Sequence, residues 1–175
     1  MILTKRLDSS EDWVCYHSGI GNDRIFRMNT TDSPTGLTGS GYWNGTTPTT
    51  TVFTLGSSDA TNGDARSQVA YCFANVQGFS KFGSWYGNGN TDGVLVNTGF
   101  KPAFLFVKAA SRSSEGVMLT TKIGVGAHKV YGNEASQSLY ATVSDGEQCC
   151  FEIDFLSNGF KWRTISGATT EDDGT

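Results

Sequence analysis

A chain of 175 residues is long enough for one large β domain or for two small units. Only 17% of its residues are charged and 22 are glycine, a composition that favours strands and turns over helices. The net charge of −4, without any cluster of Lys or Arg, argues against nucleic-acid binding, because phosphate contacts need concentrated positive charge. No stretch approaches the length of a membrane span, so we expect no membrane insertion.

Short apolar runs separated by Gly, Asn and Asp predict strands along the whole chain. In chain order, the predicted strands lie at 1–6, 12–17, 25–28, 51–55, 68–74, 79–86, 94–98, 103–108, 116–121, 129–131, 139–143, 149–155 and 159–165. The run at 68–74 (QVAYCFA) is the most continuous, and we predict a central strand covered on both faces. No window repeats apolar residues at helical spacing. The fold is therefore predicted to be an all-β antiparallel β-sandwich, jelly-roll or concanavalin-like, with little or no helix.

The chain also contains an internal repeat. The segment 1–5 (MILTK) is matched 103 residues later by 104–108 (FLFVK), a second apolar run that ends in lysine. The first run leads to the apolar segment 13–16 and the second leads to 117–119. A period near a hundred residues is the size of a small domain and is too long for a solenoid repeat.

Two groups of side chains are candidates for a ligand site. The first combines aromatic, amide and carboxylate groups around the strongest predicted turn of the chain, and its members are Trp85, Tyr86, Asn88, Asn90 and Asp92. The second is Trp43 with its neighbours Tyr42 and Asn44. Aromatic faces stack on sugar rings while Asn and Asp hydrogen-bond hydroxyl groups, so both groups suit a glycan. The alternative is that the aromatic residues fill a core and the Asn and Gly residues form turns.

Glu152 and Asp154 suggest a catalytic interpretation. On a strand they would share one face, as the carboxylates of sandwich-fold glycosidases do. The segment 152–156 (EIDFL) resembles the ExDxE-type strand of laminarinase-like glycoside hydrolases, but Leu156 replaces the third acid. The alternative is a solvent-facing polar alternation. Neither a serine nucleophile elbow nor a phosphate loop is present. We therefore predict no catalytic residues and a chain that is not an enzyme.

The four cysteines, Cys15, Cys72, Cys149 and Cys150, have no CxxC spacing and lie in apolar runs. We predict buried free thiols, except that the adjacent pair would point to opposite faces of a strand, so that only one of the two is buried. Because both histidines are far from any such spacing, we expect no metal site and no cofactor.

Several segments together carry a family resemblance. The longest is 68–93 (QVAYCFANVQGFSKFGSWYGNGNTDG), and shorter ones are 5–9 (KRLDS), 27–31 (RMNTT), 48–53 (PTTTVF), 97–103 (NTGFKPA) and 154–160 (DFLSNGF). In combination they resemble a tandem β domain of uncharacterised function found in structural and tail-associated proteins of marine bacteriophages and in marine metagenome sequences. The resemblance implies no catalytic residues.

The resemblance also implies a division of the chain. Units of that family open at an FSKFGS-like strand and close with a YxYxAFAE-like strand. On this basis 1–78 is the C-terminal part of a first unit, and 79–175 is a second unit that lacks its closing strand. We expect the two partial units to combine into one sandwich. The alternative is that neighbouring chains supply the missing strands.

The function implied by the resemblance is that of a virion-associated module in a tail fibre or similar appendage, with surface or glycan attachment as its role. Its expected location is the virion, and its expected partners are other virion proteins, copies of itself and a cell-surface glycan. Two alternatives remain open. One is a structural spacer without a ligand, and the other is a glycoside hydrolase that uses Glu152 and Asp154.

Overall fold

The computed structural model describes residues 1–36, 41–122, 134–144, 146 and 148–163. Across these ranges the regular secondary structure is almost entirely β, in antiparallel sheets, with one helix of a single turn. The all-β prediction is confirmed, and a sandwich-like arrangement fits the sheets. None of the helical residues in these ranges forms a segment long and apolar enough to cross a bilayer.

The first sheet is built entirely from the N-terminal part of the chain. It contains β1 (Ile2–Arg6), β2 (Val14–Tyr16), β3 (Arg24–Arg27), β4 (Thr35–Gly36) and β5 (Gln68–Cys72). Their spatial order is β4-β3-β2-β1-β5, and every pair is antiparallel. Helix α1 (Asp59–Asn62) precedes β5, and the Ser58 side chain caps it by accepting a hydrogen bond from the Ala60 amide.

The second sheet is built entirely from the C-terminal part. It contains β6 (Leu95–Asn97), β7 (Phe104–Val107), β8 (Val117–Thr120), β9 (Glu134–Tyr140), β10 (Gln148–Leu156) and β11 (Gly159–Trp162). Their spatial order is β6-β11-β10-β9-β8-β7, again antiparallel throughout. The register between β9 and β10 shifts between Cys149 and Ile153. The strand predicted at 129–131 lies outside the described residues.

Apolar side chains cover both faces of the first sheet. Because side chains alternate along a strand, Ile2 and Val14 point to one face, and Leu3 and Cys15 point to the other. The cluster on the Leu3 face also includes Phe106 from β7 of the second sheet. The second sheet has its own core, formed by Val107, Val117, Leu119, Phe151, Ile153, Phe155, Phe160 and Trp162. Phe106 therefore joins the two sheets.

Polar contacts join the sheets at the same place. The ammonium group of Lys108 donates hydrogen bonds to the carbonyl oxygens of Thr30 and Ser114, each at 2.7 Å. The Ser114 amide also donates to the carbonyl of Thr31 at 2.9 Å. Burial lowers the pKa of Lys108, and the nearby Glu115 carboxylate opposes that effect. The lysine that ends the second copy of the sequence repeat thus binds the other half of the chain.

The sequence repeat is also a repeat in strand pairing. In the first sheet Ile2 pairs with Tyr16, and in the second sheet Leu105 pairs with Leu119. Both members of the second pair stand 103 positions after their counterparts (105 − 2 and 119 − 16). The β1–β2 and β7–β8 hairpins therefore have the same register.

Two predicted strands are not strands in the structure. Residues 51–55 are irregular, and Phe53 and Leu55 pack from this segment against the first-sheet core. The segment 79–86 contains a single bridge between Val76 and Ser80 around a turn. Phe53 and Leu55 cover a core from the first segment and Trp85 does so from the second, and periodicity alone does not separate that role from strand formation.

The prediction that 68–74 forms a central strand covered on both faces is wrong. Strand β5 is at the edge of the first sheet, paired only with β1, and Tyr71 is 50% exposed. The aromatic residues of this segment form surface contacts, Tyr71 with Trp13 at 6.0 Å and Phe73 with Phe82 at 5.8 Å between ring centroids. A continuous apolar run therefore marks an exposed edge here.

The cysteine prediction holds for one residue and fails for another. Cys15 is buried, and desolvation raises the pKa of its thiol to about 12. Cys72 is exposed, because the edge strand β5 leaves it uncovered. The side chains of Cys149 and Cys150 lie outside the described residues.

Candidate functional site

The turn at 87–93 is held together by its own amide side chains. The Asn88 side chain donates to the carbonyl of Asp92 at 3.1 Å and accepts from the Asn90 amide at 3.2 Å. The Asn90 side chain accepts from the Asp92 amide at 2.8 Å. Gly89, with φ +61°, occupies the left-handed conformation that glycine tolerates best. Asn88 and Asn90, predicted to bind hydroxyl groups, therefore use part of their hydrogen-bonding capacity to shape the turn.

Asp92 fastens this turn to strand β11. Its carboxylate accepts hydrogen bonds from Lys161 at 2.7 Å and from Arg163 at 3.0 Å. The Gly93 amide adds a bond of 3.2 Å to the carbonyl of Trp162. The hydrogen bond and charge of Lys161, with a smaller contribution from Arg163, lower the pKa of Asp92. Asp92 is an anchor whose charge is matched by two cations.

The attachment of the turn is expected to weaken in acid. Because the folded pKa of Asp92 lies below its usual value, the attachment is fully formed above the unfolded pKa and is lost as the pH falls through the folded pKa. The amide chemical shift of Gly93, followed by NMR from pH 6 to pH 2, should report that loss.

The matched control for this titration is Asp92→Asn. The variant cannot change charge at this position, so its Gly93 shift should not titrate in the acid range. A Gly93 shift that titrates equally in both proteins would contradict the role of Asp92 as the anchor.

The two aromatic residues before the turn have different environments. Trp85 is half-buried against the second-sheet core, with its ring 5.4 Å from that of Phe160 in an edge-to-face arrangement. Tyr86, the next residue, is 94% exposed. Trp85 therefore fixes the start of the turn, and Tyr86 presents its ring to solvent.

Trp43 does not belong to a surface site, so its prediction as a ligand contact is wrong. Its side chain is 1% exposed and packs edge to face on Tyr16, with 5.7 Å between ring centroids. A ring with no exposed face cannot stack on a sugar. The aromatic segment at 42–44 instead supplies the centre of the first-sheet core.

Sequence reasoning missed one exposed aromatic residue. Phe79 is 82% exposed at the tip of the turn that the Val76–Ser80 bridge closes. The turn is braced by the Ser80 hydroxyl, which donates to the carbonyl of Ala74 at 2.7 Å. Gly78, which has φ +76°, was the signal in the sequence that could have indicated a turn here rather than a strand.

Glu152 and Asp154 occupy different environments. Glu152 is exposed, whereas Asp154 is buried and its carboxylate accepts a hydrogen bond from Arg163 at 2.6 Å. The expected pair of like carboxylates on one solvent-facing surface is therefore not what the structure shows. Asp154 links the strand to the same arginine that holds Asp92. In the ranges that the structure covers, no group of three or more His, Cys, Asp or Glu residues is arranged to hold a metal ion.

Comparison with known proteins gives one finding. Searches of curated proteins and of solved structures return no significant match. The sequence profile of a family described as a domain of unknown function (DUF7483) matches residues 1–175. The chain therefore belongs to the DUF7483 family over its whole length.

Proposed function

We propose that this chain is a non-enzymatic β module of a virion appendage such as a tail fibre, and that it attaches to a surface glycan through Tyr86 and the turn beside it. The virion setting is supported by the resemblance of the sequence to phage tail-associated domains. The observation that carries the attachment role is the 94% exposure of Tyr86 on a turn fixed at both ends.

The turn is organised in a way that favours binding. Trp85 anchors its start in the second-sheet core, and Asp92 ties its end to β11. These anchors hold the backbone that carries the Tyr86 ring, so binding a sugar face would cost little backbone entropy. An exposed aromatic ring beside amide groups combines the apolar platform and the polar contacts that sugars require.

Two observations bear on the alternatives. The use of Asn88 and Asn90 within the turn favours the structural spacer, because it reduces the polar groups left for a ligand. The glycoside hydrolase alternative loses support, because the Asp154 side chain is buried and hydrogen-bonded to Arg163 instead of being exposed beside Glu152. Attachment by Tyr86 accounts for the exposed ring, which a spacer leaves without a role.

A glycan array and pull-down with polysaccharides test this proposal. The wild-type chain should bind at least one glycan class, and Tyr86→Ala should weaken that binding about tenfold or more. Tyr86→Phe keeps the ring and should retain most of the affinity. Tyr71→Ala removes an exposed tyrosine from the other sheet and should leave binding unchanged.

Two outcomes would overturn the attachment role. One is a wild-type chain that binds no glycan, which would favour the spacer. The other is equal binding by wild type and Tyr86→Ala, with both proteins folded. Virion association is tested separately, by mass spectrometry of purified particles from the source of the sequence.

A further inference from the structure

We propose that strand β7 accepts strand β5 of a second copy of this chain, so that copies associate head to tail through free sheet edges. The inference rests on strand pairing alone and does not depend on the glycan proposal.

The backbone hydrogen bonds of β7 show which of its main-chain groups face away from β8. The Thr121 amide donates to the carbonyl of Ala103 at 3.1 Å, which makes residues 103 and 121 a hydrogen-bonded pair. Hydrogen-bonded and non-hydrogen-bonded pairs alternate in an antiparallel ladder, so Leu105 and Val107 also bond to β8. The main-chain groups of Phe104 and Phe106 therefore point away from β8. In the part of the chain that the structure describes, no strand lies on that side of β7.

In the first sheet, the edge of β1 that corresponds to this edge of β7 is paired with another strand. Met1 and Leu3 stand 103 positions before Phe104 and Phe106, in a hairpin of the same register. The Phe73 amide donates to the carbonyl of Met1 at 2.9 Å, and Leu3 pairs with Tyr71. On β1 this edge is thus covered by β5. The repeat shows that this edge of β7 has the main-chain geometry that pairs with an antiparallel strand, as β1 pairs with β5.

Strand β5 has a second edge, on which the structure describes no further strand. Because Phe73 and Tyr71 direct their main-chain groups toward β1, Ala70 and Cys72 direct theirs outward. Both residues are exposed. Among the described residues, each copy therefore carries one open edge at β5 and one at β7, and Phe104 on the latter is 60% exposed. Open, apolar edges of this kind are templates for pairing with another chain.

The two edges belong to different sheets, so a contact between them is heterologous. A β5–β7 contact leaves a free β7 on one copy and a free β5 on the other. Repetition of such a contact produces open chains or closed rings. Self-pairing of β5 or of β7 would instead produce a dimer and nothing larger through that edge.

Two proline variants test the proposal by complementation. Phe104→Pro removes the outward N–H of β7, and Ala70→Pro removes the outward N–H of β5; neither change removes a bond to β8 or β1. Analytical ultracentrifugation in reducing buffer, which prevents disulfides through Cys72, should show wild type rising above 18.8 kDa with concentration. Each variant alone should remain a monomer, and an equimolar mixture should form a 1:1 dimer, because each variant keeps the edge that the other has lost.

Phe104→Val and Ala70→Val keep the N–H groups and should associate like wild type. If a proline variant melts well below wild type, Phe104→Lys and Ala70→Lys replace it, because lysine on an edge strand also opposes pairing.

Self-association of Phe104→Pro alone would establish β5 pairing with β5, and self-association of Ala70→Pro alone would establish β7 pairing with β7. Either result overturns the proposal. It is also overturned if the equimolar mixture, or the wild-type protein, remains monomeric.

Discussion

Replacing Trp43 with alanine should lower the free energy of unfolding by about 3–5 kcal/mol. The indole is 1% exposed and packs against Tyr16, Ile2 and the rest of the first-sheet core. Its removal leaves a cavity beside β1 and β2. Each of these strands is paired with a neighbour on both sides in the sheet, so they cannot move far enough to fill the space. The melting temperature should fall by roughly 6–20 °C, as expected for a chain of this size.

Urea denaturation followed by far-UV circular dichroism measures this loss without relying on tryptophan fluorescence. Tyr86→Ala is the matched control, because it removes an aromatic side chain that is 94% exposed. The control should change stability by no more than about 0.5 kcal/mol. A loss below about 1 kcal/mol in Trp43→Ala would contradict its place in the core.

Replacing Trp162 with alanine should lower the free energy of unfolding by a similar amount, about 3–5 kcal/mol, through the core of the second sheet. Trp162 is 0% exposed and packs edge to face on Phe160. Its carbonyl also accepts the Gly93 amide that helps to hold the candidate binding turn. The variant keeps this carbonyl, but the cavity left by the indole should let that part of β11 shift, so the turn should loosen with the core and glycan binding should fall together with stability.

The control for Trp162→Ala is Leu95→Ala, on β6 of the same sheet. Leu95 is 49% exposed, so its truncation should cost less than about 1 kcal/mol. The comparison is made by urea denaturation of both variants under the same conditions. Equal losses in the two variants would show that the core around Trp162 is not the centre of the second sheet.

Much of the strand pattern could be predicted from the sequence because short apolar runs are separated by turn residues. The runs that became β1, β2, β7, β8 and β10 stand out in this way, although burial alternates from residue to residue only along β8. The repeat was visible for the same reason, since MILTK and FLFVK have equivalent places in hairpins of one register. What local patterns could not show is which strand lies next to which. The position of β5 at an edge depends on the neighbours of β1.

The sequence predicted the turn of the candidate site, but it predicted only in part which residues are placed to bind a ligand. Gly and Asn at 87–93 indicate a turn through their backbone preferences, and the structure contains one there. The sequence could not show that Trp85 and Tyr86 differ in exposure, because that difference arises from packing on Phe160. The partners of Asp92 were also hidden, since Lys161 and Arg163 are about seventy positions away and reach it only through the fold.

The β1–β2 and β7–β8 hairpins are equivalent, and in the described part of the chain they differ in whether a strand covers their outer edge. Amide hydrogen exchange by NMR, recorded at low and high protein concentration, measures that difference directly. Leu3 should be protected at every concentration because β5 covers it, and Phe104 and Phe106 should exchange rapidly in dilute solution and become protected as copies associate. Protection of Phe104 and Phe106 in the dilute monomer would contradict the claim, and so would rapid exchange of Leu3.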